Sequence, residues 1–381
     1  MQPSILAPLA ALVASAPLTL LLVSQCTKRE WVAHPRTDRW HQASTALYGG
    51  GAIWAAICVG VTVLAPALLH QHRLEFWGLA IGGTLTFAIG LWDDIKPLNP
   101  LVKLTGQVIA CTVFLVGLGL AFGPGHSELF LLSLPVALLW MLGLTNAFNL
   151  LDNMDGLAAG SAAVISSILG GFLWLAGVPT MGAVCAVIAG SCAGFLLFNF
   201  RPAGKALIFM GDCGSMLLGF LLAGLALIGA WKLGGRGGIQ AFAVPLLVMA
   251  VPIFDTTLVT IRRKVERRPI SQGGRDHSSH RLVYSGLTEK QAVLALLSIS
   301  ALMGSAALLV WKMQSWPVTI FVVTGAIASL GLFGGYLARF GRQTPMAATG
   351  MTPGESPSGR LTVTQPSERA SITMVSPGRH P

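Results

Sequence analysis

Apolar stretches long enough to cross a bilayer recur along the chain, near residues 5–24, 47–69, 76–92, 104–122, 129–147, 157–178, 180–198, 213–231, 239–260, 291–311 and 317–337. A hydrocarbon core takes about 20 residues of helix, and inside it every backbone N–H and C=O must find its partner within the protein. The expected fold is therefore an all-α polytopic integral membrane protein with about 11 (10–11) transmembrane helices, because the 76–92 and 180–198 stretches are marginal in length. A large aqueous domain is excluded: 53% of the 381 residues are hydrophobic and only 10% are charged, against about 25% charge in soluble domains. The six cysteines form no CxxC pair and sit mostly within apolar runs, so they point to neither a disulfide framework nor a zinc site. Ala14-Ser15-Ala16 could mimic a signal-peptidase site, but Lys28 and Arg29 follow the first stretch and read as the flank of an uncleaved helix entering the cytoplasm.

The net charge of +10 would suggest a nucleic-acid partner in a soluble chain; here it reports on topology. Threading alternate loops to opposite faces puts 21 of the 25 Lys and Arg on one face and leaves Arg73, Lys232, Arg236 and Lys312 on the other. The positive-inside rule makes the richer face cytoplasmic. All eight aspartates (38, 93, 94, 152, 155, 212, 255 and 276) fall on that face or at helix ends adjoining it. No topological rule places aspartate, so their one-sidedness points to a shared site at the inner boundary. From Gln343 the chain is rich in Ser, Thr, Pro and Gly with no apolar period, which predicts a membrane-embedded domain over 1–342 and a disordered cytoplasmic tail over 343–381. No internal repeat is evident.

Four segments carry candidate chemistry. Asp93 and Asp94 close one apolar run, with Lys103 ten residues after Asp93 and Pro97 and Pro100 between them; alone, this reads as a solvated loop start, or as carboxylates meeting a metal or a cation. In NAFNLLDNMDGL, Asn146, Asn149, Asp152 and Asp155 follow at steps of three, a helical stripe of oxygens suited to a hard cation or a hydroxyl-bearing ligand. The alternative is a polar helix end bonding its own backbone. In GDCGS, Asp212 precedes an apolar helix beside Gly211 and Gly214; alone it is an N-cap, and in company it can hold a cation against phosphate. The segment DHSSHRL carries His277, His280 and Arg281, better suited to an anion than to zinc, since no further Cys or His lies nearby. The basic run Arg262–Arg268 ahead of it reads as an anchor with anionic-lipid affinity. Arg36, Asp38, Arg39, Trp40 and His41 form one more polar cluster on this face.

Taken together, these segments resemble the polyprenyl-phosphate N-acetylhexosamine-1-phosphate transferases: Asp93-Asp94 with Lys103, NAFNLLDNMDGL, GDCGS and DHSSHRL stand in that family's order over roughly residues 30–300. The resemblance implies a bundle of ten or eleven helices in the bacterial cytoplasmic membrane, often dimeric, with a catalytic cleft facing the cytoplasm. It implies transfer of a sugar-1-phosphate, here GlcNAc-1-phosphate, from a UDP-amino sugar to undecaprenyl phosphate, with release of UMP. The product would initiate a cell-envelope polysaccharide such as O-antigen or teichoic acid. It also implies Mg²⁺, with Mn²⁺ able to substitute. Carried over residue by residue, Asp212 resembles the principal metal ligand, with Asn149 assisting, and Asp93 and Asp94 resemble the pair that handles the acceptor phosphate. Lys103 resembles a pyrophosphate contact, Asp155 a nucleoside contact with Asp152 beside it, and His277, His280 and Arg281 binders of the sugar-phosphate; Asn146 falls in the same substrate-binding stripe. The phospho-MurNAc-pentapeptide transferases typically carry consecutive histidines, whereas this chain has His277-Ser278-Ser279-His280, which favours the amino-sugar donor. A cation-coupled transporter, the alternative from another class, would place ionisable groups near the middle of its spans and show related halves.

Overall fold

The structure, a computed structural model, describes residues 2–33, 45–122, 127–237, 242–269 and 274–340. One compact unit spans Met1–Arg342. The expected tail from Gln343 and the Arg36–His41 cluster lie outside the described residues.

The described residues form an all-α polytopic membrane protein with ten helices long and apolar enough to span a bilayer. These are α1 (Pro3–Lys28), α2 (Gly50–Gln71), α3 (Arg73–Ile95), α4 (Pro100–Phe122), α5 (Ser127–Leu151), α6 (Leu157–Leu175), α7 (Pro179–Asn199), α8 (Gly211–Gly237), α12 (Glu289–Met313) and α13 (Trp316–Ala338). The apolar stretch expected over 239–260 is divided into α9 (Ala243–Val248) and α10 (Ala250–Val265), with the break at Met249. Each piece carries a proline, Pro245 or Pro252, in its first turn, where no backbone N–H is needed; within one continuous helix, Pro252 would remove a bond and crowd the Val248 carbonyl. A short helix, α11 (Ser278–Tyr284), follows.

Helix α8 is the axis of the bundle. Every residue of its most apolar stretch is buried, and α2, α3, α5 and α6 pack around it. Glycines set the closest approaches at its first turn: a Cβ on Gly90 of α3 would lie 2.6 Å from the Asp212 carbonyl oxygen and from Cys213 Cα, and one on Gly50 of α2 would strike the Gly214 backbone. At the far end of α3, buried Glu75 pairs with Lys232 of α8 at 2.8 Å, and His72 approaches the same lysine at 3.2 Å.

The only sheet among the described residues is small, with β1 (Val32–Ala33) antiparallel to β2 (Thr45–Ala46). Ala46 also bridges in parallel to Ile208, and the N–H groups of Gly49 and Gly50 donate to the carbonyls of Phe209 and Met210 at 2.9 and 2.8 Å. Residues 45–50 thereby brace the strand-like approach to Gly211, where α8 begins.

Candidate active site

Helix ends from four elements meet at one end of the bundle. Lys103, in the first turn of α4, points its ammonium at oxygens from three other helices: Asp93 Oδ2 of α3 at 2.9 Å, Asn149 Oδ1 of α5 at 3.4 Å, and Asp212 Oδ2 of α8 in the closest contact. Asp93 Oδ1 accepts from the Leu98 N–H at 2.6 Å and Asn99 Oδ1 from the Leu101 N–H at 2.9 Å, so the proline-bounded loop is held by its own side chains. Asn149 is fixed from the other side, donating to Ser215 Oγ at 3.1 Å.

Asp94 turns elsewhere. Its two carboxylate oxygens accept the N–H groups of Asp212 and Cys213 at 2.8 and 3.0 Å. Asn146 lies one turn deeper than Asn149 and forms a reciprocal amide pair with Gln107 of α4, at 2.8 and 3.2 Å. The stripe is therefore shared: Asn149 faces Lys103, and Asn146 faces Gln107 four residues beyond it.

Asp152 and Asp155 lie in the turn after α5. Asp152 accepts from the Gly211 N–H, and burial, followed by the nearby charges of Asp212, Asp94 and Asp155, pushes its carboxyl well above the usual range. Asp155 accepts the Ala206 N–H at 3.2 Å. Gly156, with φ +80°, turns the chain into α6 and donates to Asn199 Oδ1 at 2.7 Å.

The histidine segment docks against the same end, since Ser279 Oγ donates to Asn153 Oδ1 at 2.5 Å. Asp255 of α10 holds it: one oxygen meets His277 Nδ1 at 2.8 Å, and the other accepts the N–H and hydroxyl of Ser278 at 2.8 and 2.6 Å. Asp255 thereby fixes the orientation of the His277 ring. The His280 ring lies 5.7 Å from that of His277; burial, and then His277, pushes its pKa down to about 3. Arg281 is buried, donating to the carbonyls of Asp276, Leu337 and Phe340 at 3.1, 3.2 and 2.8 Å, which ties α11 to the end of α13.

Two members of the basic run turn toward an acid. Arg263 is 1% exposed and grips Asp276 through two bonds, at 3.0 and 2.9 Å, and Arg268 adds a third at 2.8 Å. Burial raises the Asp276 carboxyl, but the bonds from Arg263 and Arg268 outweigh it and hold the group well below the usual range. Arg263 and Arg268 thus serve an acid of their own segment, while Lys264 and Arg267 stay exposed.

Gln107 was not among the sequence-predicted residues, and Asp255 and Arg263 entered only as one of the eight aspartates and as a member of the basic run. Gln107 had a usable signal in its spacing, one turn after Lys103, and Asp255 had one as a lone acid inside an apolar run.

The donor set suits a hard divalent cation. Three oxygens from three helices already converge on one positive point at Lys103 Nζ. No group of three or more His, Cys, Asp or Glu side chains is spaced for a metal among the described residues. An ion held by Asp212 and Asn149 would thus complete its shell with water and substrate oxygens, as Mg²⁺ commonly does.

A model of the family described as glycosyl transferase family 4 matches residues 76–230, which takes in Asp93, Lys103, Asn149 and Asp212 and stops short of Asp255. A probable undecaprenyl-phosphate N-acetylglucosaminyl 1-phosphate transferase of Bacillus subtilis is 30% identical over 318 residues, covering 80% of this chain and 86% of that protein. A decaprenyl-phosphate N-acetylglucosaminephosphotransferase of Mycolicibacterium smegmatis is 34% identical over 295 residues, covering 70% and 71%. An undecaprenyl-phosphate alpha-N-acetylglucosaminyl 1-phosphate transferase of Escherichia coli K12 is 26% identical over 305 residues, covering 78% and 81%.

Proposed function

Since the chain belongs to glycosyl transferase family 4, we propose that it transfers N-acetylglucosamine-1-phosphate from its UDP-sugar to undecaprenyl phosphate, releasing UMP, at the cytoplasmic face of a bacterial inner membrane. The observation that carries this reading is the convergence of Asp93, Asn149 and Asp212 on Lys103 at the end of membrane-spanning helices. A lipid-borne phosphate and a soluble donor can meet only at such a boundary. The excess of Lys and Arg on that face supports the orientation.

An oxygen of the acceptor phosphate attacks the sugar-bearing phosphorus, and the anhydride bond to UMP breaks as a new anhydride forms. Two anions must approach for this, and unit charges 4 Å apart repel by about 4 kcal/mol at an effective dielectric near 20. Lys103 supplies a fixed positive charge between them, and Asp93 holds that ammonium in place. Mg²⁺ on Asp212 and Asn149, when bound, would neutralise phosphate charge as it moves to the leaving UMP. Asp155, with Asp152 beside it, is assigned to the nucleoside, and His277, oriented by Asp255, to the sugar-phosphate portion. One anhydride replaces another, so the reaction runs backward when UMP is supplied.

Purified protein incubated with undecaprenyl phosphate, Mg²⁺ and a panel of labelled UDP-sugars tests this reading. Label entering the lipid from UDP-GlcNAc, reversal by UMP, and a loss of at least about 100-fold in Asp212→Asn are expected. Transfer from UDP-MurNAc-pentapeptide alone, or from no donor, would overturn it.

A further inference from the structure

Asp93 and Asp94 are neighbours on α3, so their side chains leave the helix about 100° apart. One meets Lys103; the other meets the first turn of α8. We infer that Asp94 is a positioning residue that fixes the start of α8, and with it the Asp212 carboxylate, and that it does not contact the acceptor phosphate. The inference rests on the proposed role of Asp212 as cation ligand.

Three features support it. Both Asp94 oxygens are engaged by backbone donors, the N–H groups of Asp212 and Cys213. Those donors belong to the positive end of a helix, whose first N–H groups have no partner within the helix, so a carboxylate is favoured there both by charge and by hydrogen bonding. The surrounding backbone is also built to that contact. Gly90, one turn before Asp94 on the same face of α3, lets the helix touch Asp212 and Cys213, and Gly211 takes φ +78° with no room for a side chain, since a Cβ there would lie 2.7 Å from Asp94 Oδ2. Gly90, Asp94 and Gly211 thus form one clasp around the residue that follows Gly211.

Asp94→Asn replaces one accepting oxygen with an NH₂ that faces a backbone N–H. Gly211→Ala leaves the carboxylate intact and forces the clasp open. Binding of Mn²⁺ followed by electron paramagnetic resonance in detergent, and retention of labelled undecaprenyl phosphate, separate the two roles. Each variant is expected to weaken Mn²⁺ binding by about tenfold or more while lipid-phosphate binding holds within about twofold. The double variant should lose less than the product of the single losses, because both act on one contact. An Asp94→Asn protein that keeps its Mn²⁺ affinity, or loses lipid-phosphate binding instead, overturns the inference; if that variant does not fold, Gly211→Ala decides in the same way. Wild-type protein that binds Mn²⁺ but transfers no sugar phosphate would overturn the proposed function and leave this inference standing.

Discussion

Adjacent identical residues acquire different work here because a helix points them at different neighbours. The pair Asp93-Asp94 is plain in the sequence, as are Lys103 and Asp212, but which carboxylate meets the lysine depends on the rotation of α3 against α4 and α8, and the sequence pattern does not encode that rotation. The histidines were equally visible, whereas their burial was not. His277 and His280 are 4% and 3% exposed, which has a consequence for pH. The folded-state pKa of His280, about 3, lies below the value near 6.5 of an unfolded chain. The unfolded state therefore takes up the proton first. Stability from this group is whole above pH 6.5 and declines by about 1.4 kcal/mol per unit as pH falls toward 3. Thermal unfolding in detergent from pH 7 to 4 should show that slope in the wild type and a flatter one in His280→Gln; parallel profiles would refute it.

The turn between α5 and α6 is the element on which the nucleoside side of the site depends. Gly156 adopts φ +80°, and a Cβ there would lie 2.5 Å from the Phe200 ring. Gly286 also has a positive φ, +107°, but has open space around it. Gly156→Ala should therefore cost more than the roughly 1 kcal/mol of backbone strain alone expected for Gly286→Ala, and should displace Asp155 as well, raising the KM for the nucleotide donor. Equal melting temperatures and equal KM values for the two variants would contradict this. Such turn glycines are partly legible, since Gly after Asp marks a break. The interruption at Met249 is not, because an unbroken apolar run hides it, and only the positions of Pro245 and Pro252 hint at where two short helices fit better than one.

At the scale of the molecule, hydropathy alone locates ten of the eleven expected stretches as spanning helices, and 239–260 is the one it misjudges. The arrangement of the spans does not follow from it. Helices α8 and α13 are similarly apolar, yet the first is wholly enclosed and the second is mostly exposed, because lipid and protein interior are equally apolar solvents. The end of α13 nonetheless matters, since Arg281 donates to the Leu337 and Phe340 carbonyls. Ending the chain after Arg342 should leave transfer unchanged, whereas ending it after Tyr336 removes both acceptors and should lower the melting temperature and activity together. A folded, inactive protein ending at Arg342 would contradict this.

The bond from Asp94 to the Asp212 N–H joins positions 118 residues apart, which bears on how the protein is made. At about 5–20 residues per second, the ribosome delivers the second partner some 6–24 s after the first. During that interval four further helices, α4 to α7, must enter the bilayer beside an acid that has nothing yet to hold. Membrane insertion of this chain thus passes through an intermediate whose weak point is the residue that later secures the finished catalyst.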